Sequence, residues 1–171
     1  MPAASTSTST LRTASHAALK VLGYLDFVPG LLTRILVGFA FFDSGRGKLA
    51  NMENTVGFFT DLGIPFPELN AAFVSRLEYY GGMLLLVGAL TRIVAALLSS
   101  TMVVALLTAD RQTFVDAFTR TGEVGLSDLP AFVLLVFLSW LVIKGPGGLS
   151  VDAGIKRGIE GSEPPAPSTS A

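Results

Sequence analysis

Apolar positions along this chain gather into four long blocks separated by short polar breaks. They cover about residues 29–49, 72–90, 91–109 and 129–143. Within each block the apolar residues occupy nearly every helical face, a pattern that suits lipid-facing helices better than helices with one solvated side. Only the third block holds an uncharged stretch near spanning length, Ile93 to Ala109; a bilayer asks for roughly 20 residues. The others reach that length by taking in Arg34, Arg76 or Glu78. The pattern predicts an all-α fold, a transmembrane bundle of four helices. The second and third blocks abut at Gly88-Ala89-Leu90-Thr91-Arg92. One helix from Tyr79 to Ala109 would measure about 46 Å, too long for a bilayer without extreme tilt. A tight hairpin is expected there instead.

The breaks carry signals of their own. Between Asn51 and Asn70, Val56, Phe59 and Leu62 fall at helical spacing, so a short interfacial helix is expected, ended by Gly63 and the prolines of IPFP. The stretch from Asp110 to Asp128 is mostly polar, with Phe114 and Phe118 four apart. Asp128 is the expected N-cap of the fourth helix, with Pro130 in its first turn. Residues 1–16 and 153–171 are small and polar, and composition reads them as disordered tails around a membrane domain over 17–152. The N-terminal stretch carries Arg12 and no acid, as transit peptides do. A plain polar tail is the stronger reading, and the apolar run begins too late for a secretory signal.

Composition sharpens the class. Half the residues are apolar and mean hydropathy is +0.60, but the charged fraction decides: 15%, against about 25% in soluble domains. Too few polar residues remain to cover a soluble surface, which excludes a soluble globular enzyme. The net charge of −1 comes without a basic stripe, so no nucleic-acid partner is expected. No cysteine is present and the one histidine, His16, lies in the polar tail. Thiolate, iron–sulfur and histidine metal sites are therefore not expected. Four spans would put both termini on one side, with Arg12, Lys20, Arg92, Lys144, Lys156 and Arg157. The other side would hold Arg46, Lys48, Arg76, Arg111 and Arg120, so the balance of positive charge places both termini in the cytoplasm.

The charges inside the spans are the candidate chemistry, because an ionisable residue in lipid is costly. At 100° per residue, Arg34, Gly38, Gly45 and Lys48 share an arc of about 80° on the first helix. Glu78, Gly81, Gly88 and Arg92 share a similar arc on the second. Small residues let helices approach closely, so the two stripes are expected to face each other, antiparallel. That brings Lys48 level with Glu78, and Arg34 to the opposite half near Arg92 and Asp152. Asp43 and Arg46 can pair along one helix. The outer helix ends would gather Asp43, Arg46, Lys48, Arg76, Glu78, Asp110 and Asp128 around Tyr79 and Tyr80. Arg34 and Glu78 are the stronger functional candidates, since each lies within its span. The alternative is a structural Lys48–Glu78 ion pair, with the other charges snorkelling to headgroups. The run GPGGLSVD over 145–152 lacks a Walker lysine and reads as the breaker after the fourth helix.

The same residues carry a resemblance. In order they are R-x-x-x-G from Arg34, S-G-x-G-K-L from Ser44, G-I-P-F-P from Gly63, E-Y-Y-G-G from Glu78, L-x-x-G-A-L-T-R from Leu85 and G-P-G-G-L-S-V-D from Gly145. As an ordered set, over about Leu31 to Asp152, this resembles the DoxX family of small bacterial membrane proteins. The resemblance implies a four-helix, multi-pass protein of the bacterial inner membrane. It also implies kinship with the small subunit of thiosulfate:quinone oxidoreductase and with relatives that associate with thiol-redox and superoxide-detoxifying partners. The expected function is then a quinone-interacting or membrane-anchoring subunit of an oxidoreductase complex, with no covalent cofactor. Lys48 would donate to a quinone, Glu78 would accept a proton, Tyr79 would serve as wall or donor, and Arg34 would be a further quinone or lipid contact. Lys48 and Glu78 are the catalytic candidates. Expected partners are the bilayer, soluble redox proteins and further copies of the chain. Two alternatives stand beside this: a non-enzymatic scaffold for redox or stress proteins, and a small oligomeric transporter with the Arg34-to-Lys48 stripe lining its path.

Overall fold

Helix α1 (Phe27–Ala50) runs the length of the first apolar block, about 36 Å at the α-helical rise. In the computed structural model the described residues are 27–119, 125–147 and 150–160. The stretches 1–16 and 161–171, expected within polar tails, lie outside them. After α1 come α2 (Met52–Asp61), α3 (Pro67–Val87), α4 (Thr91–Leu107), α5 (Arg111–Thr119), a single 3-10 turn (Leu126–Asp128), α6 (Pro130–Lys144) and α7 (Val151–Glu160). The described residues form helices and turns, with no strand.

Four long helices pack in a ring. α1 lies along α3 and α4 along α6, while α3–α4 and α1–α6 contacts join the two pairs. Val37, Phe41, Leu85, Leu98, Leu138 and Leu141 fill the middle, each almost fully removed from solvent. By length and composition α1 alone qualifies as a membrane span among the described helices. Thr91–Leu107 and Arg111–Ala117 qualify together only as a path bent by 84°, and the apolar α6 has 15 residues. The reason differs by helix. α3 has 21 residues but carries Glu68, Arg76 and Glu78, whereas α4 stops after 17.

Glycines set the α1–α3 distance. A Cβ on Gly45 would collide with the backbone of Tyr79, and one on Gly82 with the backbone nitrogen of Phe42. Gly38 likewise lies against Gly82 and Leu86, so the helices run antiparallel with almost no side chain between them. The α1 stripe faces α3 as expected, but its partner there is Gly82 rather than Gly81. Gly81 turns to Val94 and Leu98 of α4. α3 is wedged between two helices and needs a small residue toward each.

The connections follow local chemistry. α2 forms within the 51–70 break and ends at Asp61, and the chain turns away at Gly63, whose φ of 68° suits glycine. Gly88 (φ 72°) closes α3, and Leu90 (φ 51°) leads directly into α4, giving the tight hairpin. Asp128 is not the N-cap of the fourth helix. Leu129 holds that position, because the Asp128 carboxylate turns back to accept from the Gly125 amide at 2.9 Å. Residues 153–160, where composition suggested the start of a tail, continue α7. Ser150 Oγ accepts from the Ala153 amide at 3.1 Å as a cap, and Val151 and Ile155 fall one turn apart on the helix.

Candidate functional site

Lys48 lies in the last turn of α1 and Glu78 midway along α3. The close α1–α3 approach at Gly45 brings them together. Lys48 Nζ donates to Glu78 Oε1 at 2.6 Å and Oε2 at 2.5 Å, and Ser44 Oγ donates to Oε2 at 2.9 Å. Ser44 and Lys48 are four apart on α1, so both reach the same carboxylate. Glu78 is 1% exposed and Lys48 32%. A buried carboxylate that accepts three hydrogen bonds from two donors is electrostatically satisfied, while the ammonium stays partly open to solvent. Thr55 of α2 fixes the end of α1 by donating to the carbonyls of Lys48 (3.2 Å) and Asn51 (3.0 Å).

A cavity of about 240 Å³ opens beside this pair, between α2, α3 and α4. Phe58, Phe59, Phe73, Met102 and Ala105 supply apolar wall, and among the described residues Lys48 and Glu78 are its charged lining. Ser100, Thr101 and Thr108 also line it, but each hydroxyl donates to a carbonyl of its own helix, Leu97, Leu98 and Val104 respectively. Those hydroxyls leave their acceptor lone pairs to the cavity, so the charged donor in its lining is Lys48. Chemically this is an apolar slot with one cation and one carboxylate in its lining.

The other two expected site residues lie elsewhere. Arg34 is 14 residues before Lys48 on α1, about 21 Å away along the helix. It is buried against Gly88, with Nη1 donating to the Pro146 carbonyl at 3.0 Å and Nε without a partner among the described residues. Tyr79 stacks on Phe42 with ring centroids 5.0 Å apart and meets Tyr80 edge-on at 5.2 Å. It does not line the cavity; one residue past Glu78, it is rotated 100° into the α1–α3 seam. The expected gathering of outer charges does not form either. Asp43 and Arg46 pair at 2.8 Å in solvent, and Arg76 bonds the Ala72 carbonyl of its own helix. Ser44 and the three phenylalanines are site residues that stripe arithmetic passed over. Ser44 carried a usable signal, its i,i+4 spacing to Lys48.

At the far end, Asp152 caps α4. Its Oδ1 accepts from the Leu90 amide at 2.8 Å and its Oδ2 from the Thr91 amide at 3.0 Å, while its own amide donates to the Gly88 carbonyl at 3.1 Å. Arg34 adjoins this segment as expected. Arg92 does not join Arg34; it reaches to the end of α6, where Nη2 donates to the Ile143 carbonyl at 3.3 Å. No group of metal-ligating side chains occurs among the described residues.

Comparison with known proteins bears on this geometry. The DoxX family model matches residues 30–111, which include both Lys48 and Glu78. A protein of Bacillus subtilis (strain 168) bearing the name "Putative oxidoreductase CatD" is 37% identical over 78 residues, 46% of this chain and 57% of that protein. The chain thus spans little more than half of that relative's length. A second relative, "Uncharacterized membrane protein Rv3486" of Mycobacterium tuberculosis (strain ATCC 25618 / H37Rv), is 30% identical over 132 residues, 72% of this chain and 79% of the relative. No solved structure matches the chain.

Proposed function

From the premise that this chain belongs to the DoxX family of membrane proteins, we propose that it is a quinone-interacting subunit of a membrane oxidoreductase complex. The observation that carries this reading is the apolar cavity whose lining includes the paired Lys48 and Glu78. At about 240 Å³ it falls just below the range of about 300–1,000 Å³ typical of ligand pockets. It therefore takes a ring-sized headgroup and leaves an isoprenoid tail outside, among lipids. The oxidoreductase name of the Bacillus subtilis relative points the same way.

In this reading the four long helices cross a bacterial inner membrane as two hairpins, with both termini in the cytoplasm. The shorter α4 and α6 are accommodated by local thinning of the bilayer and by interfacial residues such as Trp140 at their ends. A bound quinone supplies carbonyl groups that accept two electrons and two protons. The chain's own residues do the rest. Phe58, Phe59 and Phe73 exclude water from the ring, the Lys48 ammonium donates a hydrogen bond to a carbonyl oxygen, and the Glu78 carboxylate orients that ammonium and serves as the proton acceptor beside it. The electron donor is a partner protein.

Binding of a short-tailed quinone analogue to the full chain in lipid nanodiscs tests the assignment. Saturable binding that is lost in Ala105→Phe, which fills the cavity, and weakened in Glu78→Gln supports it. Wild-type binding in both variants overturns it.

A further inference from the structure

A second concave region lies at the opposite end of α4. It is a surface cleft of about 720 Å³ between the start of α4, the end of α6 and α7, with Arg92, Lys144, Leu90, Ile93 and Gly147 in its lining. Its two cations are exposed and form no ion pair with any described carboxylate. The acid that lines the cleft, Asp152, has both oxygens engaged by the Leu90 and Thr91 amides. Arg92 uses only Nη2 on the Ile143 carbonyl, and the Lys144 ammonium rests 5.4 Å above the Trp140 ring. Cations at the end of α6 do offset its dipole. That accounts for the Arg92–Ile143 bond, but not for the open space beside both charges.

The apolar surroundings decide what the cleft takes. Ile93 is 60% exposed and Ile143 73%, next to Arg92 and Lys144 respectively in sequence. Trp140 continues the same surface one turn along α6, at 45% exposure. A cation pair framed by bare aliphatic side chains and a tryptophan matches a headgroup phosphate above acyl chains. A free anion would have no use for the aliphatic rim. We propose that this cleft binds the phosphate of an acidic phospholipid, with Arg92 and Lys144 on the phosphate and Ile93, Ile143 and Trp140 against the chains. The site is remote from the Lys48–Glu78 cavity and stands whether or not that cavity holds a quinone.

Trp140 is the chain's one tryptophan, which makes the site its own reporter. The full chain is reconstituted in vesicles containing phosphatidylglycerol or phosphatidylcholine with brominated acyl chains, and the quenching of Trp140 is normalised to unbrominated vesicles. Preferential quenching by brominated phosphatidylglycerol is expected. Each of Arg92→Gln and Lys144→Gln should lower that preference about fivefold, the effect of one basic residue at an anionic surface. Arg92→Lys, which retains the charge, should keep most of it and so separates charge loss from misfolding. Equal quenching by the two lipids, or undiminished preference in the Arg92→Gln/Lys144→Gln double variant, overturns the proposal. A Trp140 emission that responds to inorganic phosphate in phosphatidylcholine vesicles, with no preference for brominated phosphatidylglycerol, also overturns it, by assigning the cleft to a free anion.

Discussion

Lys48 and Glu78 are joined through both carboxylate oxygens, although they are thirty residues apart and belong to different helices. The lysine is a third exposed and the glutamate almost wholly buried, so the two are not equivalent. Removing the lysine strands a buried carboxylate. Removing the carboxylate's charge leaves a cation that can swing to water.

Lys48→Met should therefore destabilise the protein by about 3 kcal/mol, the lower end for a broken buried pair because Lys48 is partly open. Glu78→Gln should cost less. The double variant Lys48→Met/Glu78→Gln should recover most of the Lys48→Met loss. Thermal unfolding in mild detergent distinguishes these cases, and equal costs for the two single variants would contradict the asymmetry.

The α1–α3 seam predicts a second contrast. Gly45→Ala and Gly82→Ala each push a methyl into opposing backbone, which cannot move as a side chain end can. Each should cost about 1–3 kcal/mol. Gly47, on the same helix, has open space where a methyl would lie, with nothing within 4 Å. Gly47→Ala should be neutral or more stable by up to about 1 kcal/mol. Unfolding curves of the three variants compared side by side check the assignment of faces.

Leu90 holds a left-handed backbone conformation with φ 51°, which costs a residue with a side chain about 1–2 kcal/mol. Asp152 secures it from the C-terminal segment through the Leu90 and Thr91 amides. Asp152→Ala should destabilise by about 1–2 kcal/mol, as for loss of a helix cap, and make α7 more sensitive to protease. Leu90→Gly should partly restore the unfolding temperature of Asp152→Ala.

Ala105 lines the cavity between α2, α3 and α4. Ala105→Phe should abolish binding of a quinone analogue while leaving the unfolding temperature within a few degrees of wild type, because the ring enters existing space. Loss of binding together with wholesale unfolding would show that the space is too small for the ring.

Much of this arrangement was legible from spacing alone. Gly38, Gly45 and Lys48 share one face of α1, and intrahelical geometry is rigid enough to carry that inference to Glu78. The tight turn at Gly88 followed from length, since one continuous helix would overrun a bilayer. What spacing does not encode is the number of neighbours a helix has. α3 has close neighbours on two sides, so Gly81 and Gly82 serve different partners and Tyr79 lies in a seam rather than a pocket. Apolar blocks also locate helices without locating their ends. α3 begins at Pro67, before its apolar run, because proline is tolerated in a first helical turn. Asp128 was the natural cap by residue type, but a shorter path to the Gly125 amide claimed its carboxylate.

The cap on α4 has a consequence for the order of assembly. α3 and α4 are both complete once Leu107 has left the ribosome, yet the carboxylate that holds their turn lies some sixty residues after Leu90, on Asp152. Until that residue emerges, Leu90 keeps its unfavourable conformation without its acceptor. The hairpin is therefore the provisional part of the nascent protein, and synthesis of the last helix makes it permanent.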